Sequence, residues 1–375
     1  MRVLFVISGL GLGGAERQVV LLSKEFVRCG HVVSIYTLNG EVPRADELAG
    51  SGVELVVDQK RRRLDLGVLR RLRQHIRRWR PDVVHGFLYD GNLYARLAGL
   101  GVPVINSERN DNYRLSAVQA AGYRLTSGLL DGVVANSHAG AALAQRLHRL
   151  AKERVAVVWN GIDIAEVDTR LARSGAPAHQ IWPGADIKRV CIVGAIKPQK
   201  DYPLALRVAR RLVDEDASWR FICVGDELSS SSSGHKAQVQ DECEALRLQS
   251  YAKFVGHRRD VPELMASCDV LLVTSVHEGF PNVVLEAMAC GTPVATTDYS
   301  DVKRILPMAW QVADSRSPEA LAATVARCIV ERRAVAAAQR AWVEVHATAA
   351  VSANALMAVY AGHVGPQPQI GGRAL

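Results

Sequence analysis

The sequence lacks paired cysteines, a long apolar run and a cluster of metal-binding residues. Its seven cysteines are scattered singly, without a CxxC pair, which favours free thiols in a reducing compartment over a disulfide framework or a zinc site. No stretch approaches the ~20 apolar residues that a membrane-spanning helix needs. The N-terminal apolar run, Val3–Ile7, is shorter than the ~7–15 residues of a secretory signal. No set of His, Cys, Asp and Glu shows metal-ligand spacing. We therefore predict a cytoplasmic protein without an obligatory metal.

Positive charge is concentrated in one segment. The chain has a formal net charge of +8 at pH 7, and Lys60–Arg80 contains ten Lys or Arg residues but one acid, Asp65. Apolar residues recur in this segment every three or four positions, from Leu66 to Trp79, which predicts an amphipathic helix with a cationic face. Such a helix is either a solvated surface element or a site of attraction to an anionic membrane. Nucleic acid is disfavoured as a partner, because no aromatic-interleaved or helix-turn-helix pattern accompanies the charge.

Strand and helix patterns alternate along the chain, which is typical of parallel sheets with helices on both faces. At 375 residues the chain is long enough for two such Rossmann-like, doubly wound α/β domains. The alternation breaks at 169–187, which predicts a linker between domains at 1–168 and 188–345. We expect a helix at 346–363 to pack back toward the N-terminal domain, and 364–375 to form a flexible tail. Because open parallel sheets bind ligands outside the carboxyl ends of their strands, we expect a cleft between the two halves.

A helix is predicted to begin at Pro281, directly after the glycine-containing turn that follows the strand Val270–Thr274. Proline is favoured at the first helical position, and Gly291 and Pro293 end the helix. A helix start at the ligand-binding edge of a sheet presents free amides and a partial positive charge. The pattern therefore predicts a site for a diphosphate.

Two glutamates flank this helix start. Glu278 lies in the turn, and Glu286 lies about one and a half turns into the helix. A carboxylate accepts hydrogen bonds from paired hydroxyls. One of them can hold a ribose and the other a hexose, although either glutamate taken alone is better explained as a solvated residue.

Glu278 and Glu286 form an E-x7-E pattern, and residues 278–282 and 286–294 resemble the signature of the family 4 retaining glycosyltransferases, which have the GT-B fold. The resemblance extends over most of the chain. Further similar segments are the N-terminal glycine loop (11–17), an acceptor-domain strand (81–85), an inter-domain segment (159–163), the phosphate-binding loop (193–200) and the stretch that reads the nucleotide base (254–257).

The resemblance implies a role for each matching residue. Lys200 would neutralise the donor diphosphate, Glu286 would hold the ribose hydroxyls, and Glu278 would contact the transferred sugar. A leaving nucleoside diphosphate gains negative charge as the glycosidic bond breaks, so a fixed cation there stabilises the transition state more than the ground state. Donor contacts from backbone or glycine positions would come from Gly13, Gly14, Gly256, Gly279, Phe280, Pro281 and Asn282.

The sequence departs from the family pattern at two places. Many relatives carry an arginine after the first glycine of the phosphate loop, whereas this chain has Ala195, so that Lys197 or Arg17 would have to supply the charge. Relatives also often place a histidine after the strand at Val102–Asn106, where this chain reads Ser107-Glu108-Arg109. His85 is the substitute candidate, either as a site residue or as a structural histidine, and Arg109 is a second candidate on the acceptor side.

The N-terminal glycines allow a different interpretation. Gly9-x-Gly11-x-x-Gly14 formally satisfies the dinucleotide fingerprint of an NAD-dependent oxidoreductase. That function needs an acidic residue at the end of the second strand, and this strand ends in Thr37-Leu38-Asn39. A third alternative, a non-catalytic protein that binds membranes through the basic helix, leaves the E-x7-E segment unexplained.

We expect a glycosyltransferase that moves a hexosyl unit from a nucleotide-diphosphate sugar to an acceptor hydroxyl. The resemblance implies retention of configuration, and UDP is favoured over GDP as the nucleotide. No cofactor is expected besides this co-substrate. Because the basic helix lies in the domain expected to bind the acceptor, we predict a lipid-linked or polysaccharide acceptor and peripheral contact with the inner face of a membrane.

Overall fold

The computed structural model describes residues 1–62, 64–99, 101–109, 115–227 and 234–364. The chain divides into two compact units, unit 1 (Met1–Gly161 and Ala349–Leu375) and unit 2 (Ile162–Thr348). Each unit contains one parallel sheet flanked by helices. The predicted fold class, two Rossmann-like α/β domains, is confirmed.

The described part of unit 1 has a sheet of seven parallel strands. They are β1 (Arg2–Ile7), β2 (Val32–Thr37), β3 (Glu54–Val57), β4 (Val83–Phe87), β5 (Val104–Glu108), β6 (Gly132–Ala135) and β7 (Val155–Val157), in the spatial order β3-β2-β1-β4-β5-β6-β7. The helices between them are α1 (Gly14–Arg28), α2 (Leu66–Trp79), α3 (Leu88–Ala98), α4 (Ala117–Leu125) and α5 (His138–His148). Residues Val3 to Ile7 of β1 are completely buried, because apolar clusters cover both faces of the sheet.

The basic segment is helical over part of its length. α2 begins only after Asp65, whose carboxylate caps it by accepting from the backbone N–H groups of Gly67 (2.9 Å) and Val68 (3.2 Å). The predicted apolar stripe is wrong at its first member, since Leu66 is exposed and Val68 is buried instead. The four-residue strand β3 was not predicted; it is a short edge strand and only half-buried.

Unit 2 contains, within the described residues, a sheet of five parallel strands. They are β8 (Lys188–Val193), β9 (Trp219–Val224), β10 (Ala252–Phe254), β11 (Val270–Val273) and β12 (Val294–Thr296), in the order β10-β9-β8-β11-β12. Its helices are α6 (Ile164–Arg173), α7 (Pro177–Ile181), α8 (Tyr202–Glu215), α9 (His235–Ala245), α10 (Val261–Ala266), α11 (Asn282–Ala289), α12 (Val302–Ile305), α13 (Pro318–Val330) and α14 (Arg332–His346).

The segment 169–187 differs from the linker that the sequence suggested. It includes the end of α6 and all of α7, and both helices belong to unit 2. Arg170 donates to both carboxylate oxygens of Glu263 at 2.9 and 2.7 Å, and Arg340 donates to both oxygens of Asp168 at 2.9 and 2.8 Å. These bidentate ion pairs fasten α6 to the rest of the unit.

The last helix, α15 (Ala349–His363), is part of unit 1 and packs on α1. Its Leu356 and Tyr360 are fully buried in the same cluster as Phe5 and Phe26. Except for residue 364, the segment 364–375 predicted to be a flexible tail lies outside the described residues.

Candidate active site

Three neighbouring strands of unit 2 end in glycine. Gly194 follows β8, Gly225 follows β9 and Gly256 follows the residue after β10, all at positive φ (154°, 134° and 67°). The Gly225 N–H donates to the Gly256 carbonyl at 2.9 Å, and a Cβ on Gly225 would lie 2.0 Å from the Gly194 carbonyl oxygen. Only glycine fits at 225, where the two backbone segments approach each other. The three strand ends therefore form a backbone floor, without side chains at the glycine positions, at the carboxyl edge of the sheet. Gly225 was not predicted, although the repeated Val-Gly pairs at 193–194, 224–225 and 255–256 indicate it.

Lys200 lies directly over this floor. It ends a short 3₁₀ turn, Pro198–Lys200, and Asp201 then takes the left-handed conformation and caps α8. A Cβ on Gly194 would come within 3.0 Å of the Lys200 Cε atom, so glycine at 194 is what leaves room for the lysine. The Tyr202 hydroxyl donates to the Gly194 carbonyl at 2.7 Å and fixes the start of the loop.

Glu278 lies against Lys200. Its Oε1 atom forms an ion pair with the Lys200 Nζ atom and accepts from the Ser275 hydroxyl at 3.0 Å. Its Oε2 atom accepts from the Gln199 side-chain amide at 3.3 Å, and that amide also donates to the His277 carbonyl at 2.6 Å. Both charged side chains keep limited access to solvent, 17% for Lys200 and 15% for Glu278. Two residues that the sequence placed in one site, 78 positions apart, are therefore in contact.

A second ammonium group, on Lys197, stands in the same cluster. Burial lowers the pKa of Lys197, the charge of Lys200 lowers it further, and Glu278 acts in the opposite direction. The cluster thus holds two cations near one carboxylate. Such an excess of positive charge at the carboxyl edge of a parallel sheet is suited to an anionic ligand.

Helix α11 begins next to this cluster. Pro281 occupies the N-cap position and Asn282 the first helical position, so the prediction of Pro281 at the first helical position is wrong by one residue. The Asn282 N–H donates to the Phe280 carbonyl (3.0 Å) and the Val284 N–H to the Pro281 carbonyl (3.0 Å). The helix start therefore uses part of its own amide groups, which leaves fewer for a ligand than expected.

Three further predicted residues lie in α11 or in the turn before it. The Gly279 carbonyl accepts from the Ser300 hydroxyl at 2.8 Å, and the Phe280 side chain is buried. Glu286 is half-buried in the second turn of α11.

Arg316 connects parts of the site, and no motif in the sequence predicted this role. Its guanidinium donates to the Asp201 carboxylate (2.6 Å), the Thr274 carbonyl (3.0 Å) and the Ser275 carbonyl (2.8 Å). The Thr274 hydroxyl in turn donates to the Lys200 carbonyl at 2.8 Å. Arg316 therefore joins the end of β11 to the Lys200 loop and positions both.

The predicted N-terminal residues lie at the start of α1 in unit 1. Gly13 is the N-cap of α1 and Gly14 its first residue; both are exposed, and Arg17 in the first turn is half-buried. A Cβ on Gly13 would lie 2.3 Å from the Glu16 Oε2 atom, so a larger residue would displace that side chain.

His85 lies in the core of unit 1. It is completely buried in β4, with Nδ1 2.5 Å from the Tyr360 hydroxyl and Nε2 2.8 Å from the Ser107 hydroxyl. Burial lowers the pKa of His85 well below its ordinary value of 6.5, and the neighbouring charge of Arg109 adds to this. Both ring nitrogens thus lie within hydrogen-bond distance of protein hydroxyls, which favours the structural alternative for His85.

Arg109 lies one residue beyond β5 and is half-buried. Its guanidinium donates to the Ser107 hydroxyl (3.3 and 3.2 Å) and the Asn160 side-chain oxygen (2.6 Å), and lies 4.9 Å from the centre of the Phe87 ring. Burial lowers the pKa of Arg109 to about 10, while Tyr360 and Glu108 act in the opposite direction. Arg109 remains a cation at neutral pH.

Two further properties of the described residues concern membranes and metal ions. None of the helices there combines the length and apolar character needed to cross a bilayer. No three His, Cys, Asp or Glu side chains in this part of the chain gather as metal ligands.

Comparison with known proteins gives two family matches. Residues 187–331 match the family model of "Glycosyl transferases group 1", and residues 12–166 match that of "Glycosyltransferase Family 4". The D-inositol 3-phosphate glycosyltransferase of Streptosporangium roseum is 25% identical over 324 residues, covering 78% of this chain and 74% of the relative. The Bacillus subtilis protein EpsF, named as a glycosyltransferase, is 26% identical over 326 residues, covering 79% of each.

Solved structures share the fold. Anabaena HepE, crystallised with UDP, superposes with a TM-score of 0.81 over 96% of this chain and 100% of that one, at 19% identity. HepE has also been crystallised with UDP-glucose (TM-score 0.79, 20% identity, the same coverage). A glycosyltransferase from Rickettsia africae has a TM-score of 0.81 over 96% and 97% of the two chains, at 15% identity. The matched families and these relatives give the oxidoreductase alternative no support.

Proposed function

This chain belongs to glycosyltransferase family 4 and is a glycosyltransferase with the GT-B fold, and from that membership we propose its reaction. The enzyme transfers a hexosyl unit from a nucleotide-diphosphate sugar to a hydroxyl of a lipid-linked or polysaccharide acceptor, with retention of configuration. UDP is the favoured nucleotide and GDP the second candidate. The fold neighbour HepE, which has been crystallised with UDP and with UDP-glucose, supports this preference.

The observation that carries the proposal is the contact of Lys200 with Glu278 above Gly194. Lys200 and Lys197 together supply the positive charge that the diphosphate needs, and Lys197 replaces the arginine missing at Ala195. As the glycosidic bond breaks, charge accumulates on the departing diphosphate, and two fixed ammonium groups stabilise that state more than the bound donor.

Glu278 contacts the transferred sugar in this proposal. Its carboxylate is held by Ser275 and Gln199 and retains solvent access, so it can accept hydrogen bonds from sugar hydroxyls. Glu286 holds the ribose hydroxyls, and the backbone at Gly256 contacts the nucleotide base. In unit 1, Gly13, Gly14 and Arg17 are assigned to the donor phosphates by the same family resemblance.

The basic segment supports peripheral binding to an anionic membrane. Arg61, Arg62, Arg77 and Arg78 are exposed, and Leu64 and Leu66 beside them expose 52% and 68% of their surface. Cations next to exposed leucines suit an anionic interface. Arg77→Glu/Arg78→Glu is expected to abolish co-flotation with phosphatidylglycerol vesicles, while Arg211→Glu/Arg333→Glu on unit 2 is the control. Equal flotation of wild type with neutral and anionic vesicles would contradict this part.

The donor assignment is tested by thermal stabilisation with a panel of UDP- and GDP-sugars. A ligand present at 100 times its Kd stabilises the native state by about 2.7 kcal/mol. Lys200→Met should lose this stabilisation, whereas Lys188→Met should keep it. Lys188 is a suitable control because it begins β8, at the opposite end from Gly194, and pairs with Asp216 at 2.6 Å. If no nucleotide sugar stabilises the wild type, or if both variants respond alike, the proposed donor site is refuted.

A further inference from the structure

Polar side chains converge where three adjacent strands of unit 1 end. Arg109 follows β5, Asn136 follows β6, and Asn160 lies three residues beyond β7. In the sheet, Glu108 is paired with Ala135, and the Asn136 N–H donates to the Glu108 carbonyl at 3.1 Å. Arg109 and Asn136 are thus opposite one another at the carboxyl edge of the sheet, the edge where open parallel sheets bind ligands.

The Arg109 guanidinium retains donor capacity. It carries five N–H groups, and its contacts with Ser107 and Asn160 use three of them. The two that remain belong to its two terminal nitrogens, which can grip a carboxylate or a phosphate together. Among the described residues no carboxylate forms an ion pair with this guanidinium. Within the described residues, this half-buried cation is therefore held by neutral groups and the Phe87 ring.

Asn136 provides an independent observation. Its side chain is 3% exposed, and its Oδ1 atom is buried without a hydrogen-bond partner among the described residues. A buried carbonyl oxygen left without a donor costs about 1–3 kcal/mol, and native proteins accept that cost rarely. Among the described residues, an unpaired acceptor thus lies, by sheet register, next to a guanidinium without a carboxylate partner, and the two together suit a polar, anionic ligand.

We infer that this edge of unit 1 recognises an anionic group, a phosphate or a carboxylate, on the acceptor substrate. Arg109 donates to the anion, and Asn136 accepts from a neighbouring hydroxyl of the same molecule. The inference rests on the proposed function only in taking the ligand to be the glycosyl acceptor. The alternative source of the anion is the donor diphosphate, for which unit 2 already offers Lys197 and Lys200.

Two variants probe the site without removing its bulk. Asn136→Asp keeps the size of the side chain and places a carboxylate opposite Arg109. The new carboxylate should pair with the Arg109 guanidinium and repel an incoming anion. A purely structural role predicts that this change leaves ligand binding intact, because the arginine gains a counter-ion. Arg109→Lys keeps the charge but loses the planar fork, and it serves if the first variant does not fold.

The experiment measures the binding of inorganic phosphate, glucose 6-phosphate and glucose, with glucose as the uncharged comparison. The protein is first saturated with UDP or GDP, depending on which nucleotide it binds. Saturation fills the donor site, so any further phosphate binding reports a second site. We expect glucose 6-phosphate to bind at least tenfold more tightly than glucose, each variant to lose at least tenfold for both phosphate ligands, and nucleotide affinity to stay within twofold of wild type. With any acceptor found later, the variants should raise KM far more than they lower kcat.

Three results would overturn the inference. They are no phosphate binding to the nucleotide-saturated wild type, unchanged phosphate binding by both variants, and a parallel loss of nucleotide affinity, which would assign the anion to the donor. Failure of the proposed function is separate, because in that case no nucleotide would bind the wild type at all.

Discussion

Replacing Glu278 by glutamine should change nucleotide binding and turnover in opposite directions. In the structure the Lys200 ammonium is neutralised by Glu278, and a diphosphate must compete for it. Glutamine removes the negative charge and retains the size of the side chain and its contacts with Ser275 and Gln199. The free nucleotide UDP, which has no sugar to offer to Glu278, should therefore bind more tightly to Glu278→Gln.

The magnitude follows from Coulomb's law. If Lys200 bridges the carboxylate and the diphosphate, the two anions lie about 6 Å apart. At an effective dielectric constant between about 20 and 80, their repulsion is between about 2.8 and 0.7 kcal/mol. Since about 1.4 kcal/mol corresponds to tenfold, we expect UDP to bind about tenfold more tightly. Turnover of a UDP-sugar should fall at least a hundredfold, because the contact with the reacting sugar is lost.

Isothermal titration calorimetry of UDP at low salt measures the first effect, and release of UDP from a UDP-sugar measures the second. Lys200→Met is the matched comparison and should weaken UDP binding and turnover together. The variant must also be shown to be folded, since a pair with both side chains about one-sixth exposed contributes about 1 kcal/mol to the free energy of unfolding. Weaker UDP binding by Glu278→Gln would refute the reasoning, because it would mean that Glu278 itself holds the nucleotide.

Two further predictions concern the same unit. Gly225→Ala places a Cβ 2.0 Å from the Gly194 carbonyl oxygen at a φ of 134°, so it should lower the free energy of unfolding in urea by about 2–4 kcal/mol. Gly362→Ala is the control, because its Cβ would meet nothing within 4 Å and the free energy of unfolding should not fall. Equal effects of the two variants would contradict the close approach of Gly225 to Gly194. Because the pKa of Lys197 is lowered in the free protein, this lysine destabilises the native state at pH values below its folded pKa, and the penalty disappears as pH rises toward the ordinary value of 10.5. A bound diphosphate should raise that pKa again, so UDP binding near pH 9 should take up protons in calorimetry with buffers of different ionisation enthalpy, and Lys197→Met should abolish the uptake; proton release would contradict the assignment.

The sequence predicts best what depends on local pattern. The helix Asn282–Ala289 begins one residue after the predicted start, and its place is set locally, because a proline precedes it and glycine and proline follow it within a few residues. The pairing of Lys200 with Glu278 was predicted from two short segments, each of which follows a strand of one parallel sheet. Strands of such a sheet end at a common edge, so residues far apart in the chain meet there.

The errors arise where distant contacts decide the structure. Arg316 lies 115 positions from Asp201, and no local pattern relates the two. The supposed linker lacks clear periodicity, and its helices are held by ion pairs to Glu263 and Arg340 that only the folded unit brings near. His85 lies in the middle of β4, and its environment is set by Tyr360, 275 positions later. In each case the competing term is a tertiary contact that overrides local preference.

The balance of charge at the two sheet edges bears on the reaction. In unit 2, Lys197 is influenced by the charges of Lys200 and Glu278, which pair with each other; in unit 1, the partners of Arg109 among the described residues are neutral. Desolvating a cation is costly unless an opposite charge lies nearby, and Arg170 of α6, in unit 2, has such a partner in Glu263. A donor diphosphate would account for the excess in unit 2 and leave that in unit 1 unexplained. An acceptor that carries its own anionic group would account for the charge in unit 1, and it is therefore the acceptor class to screen first.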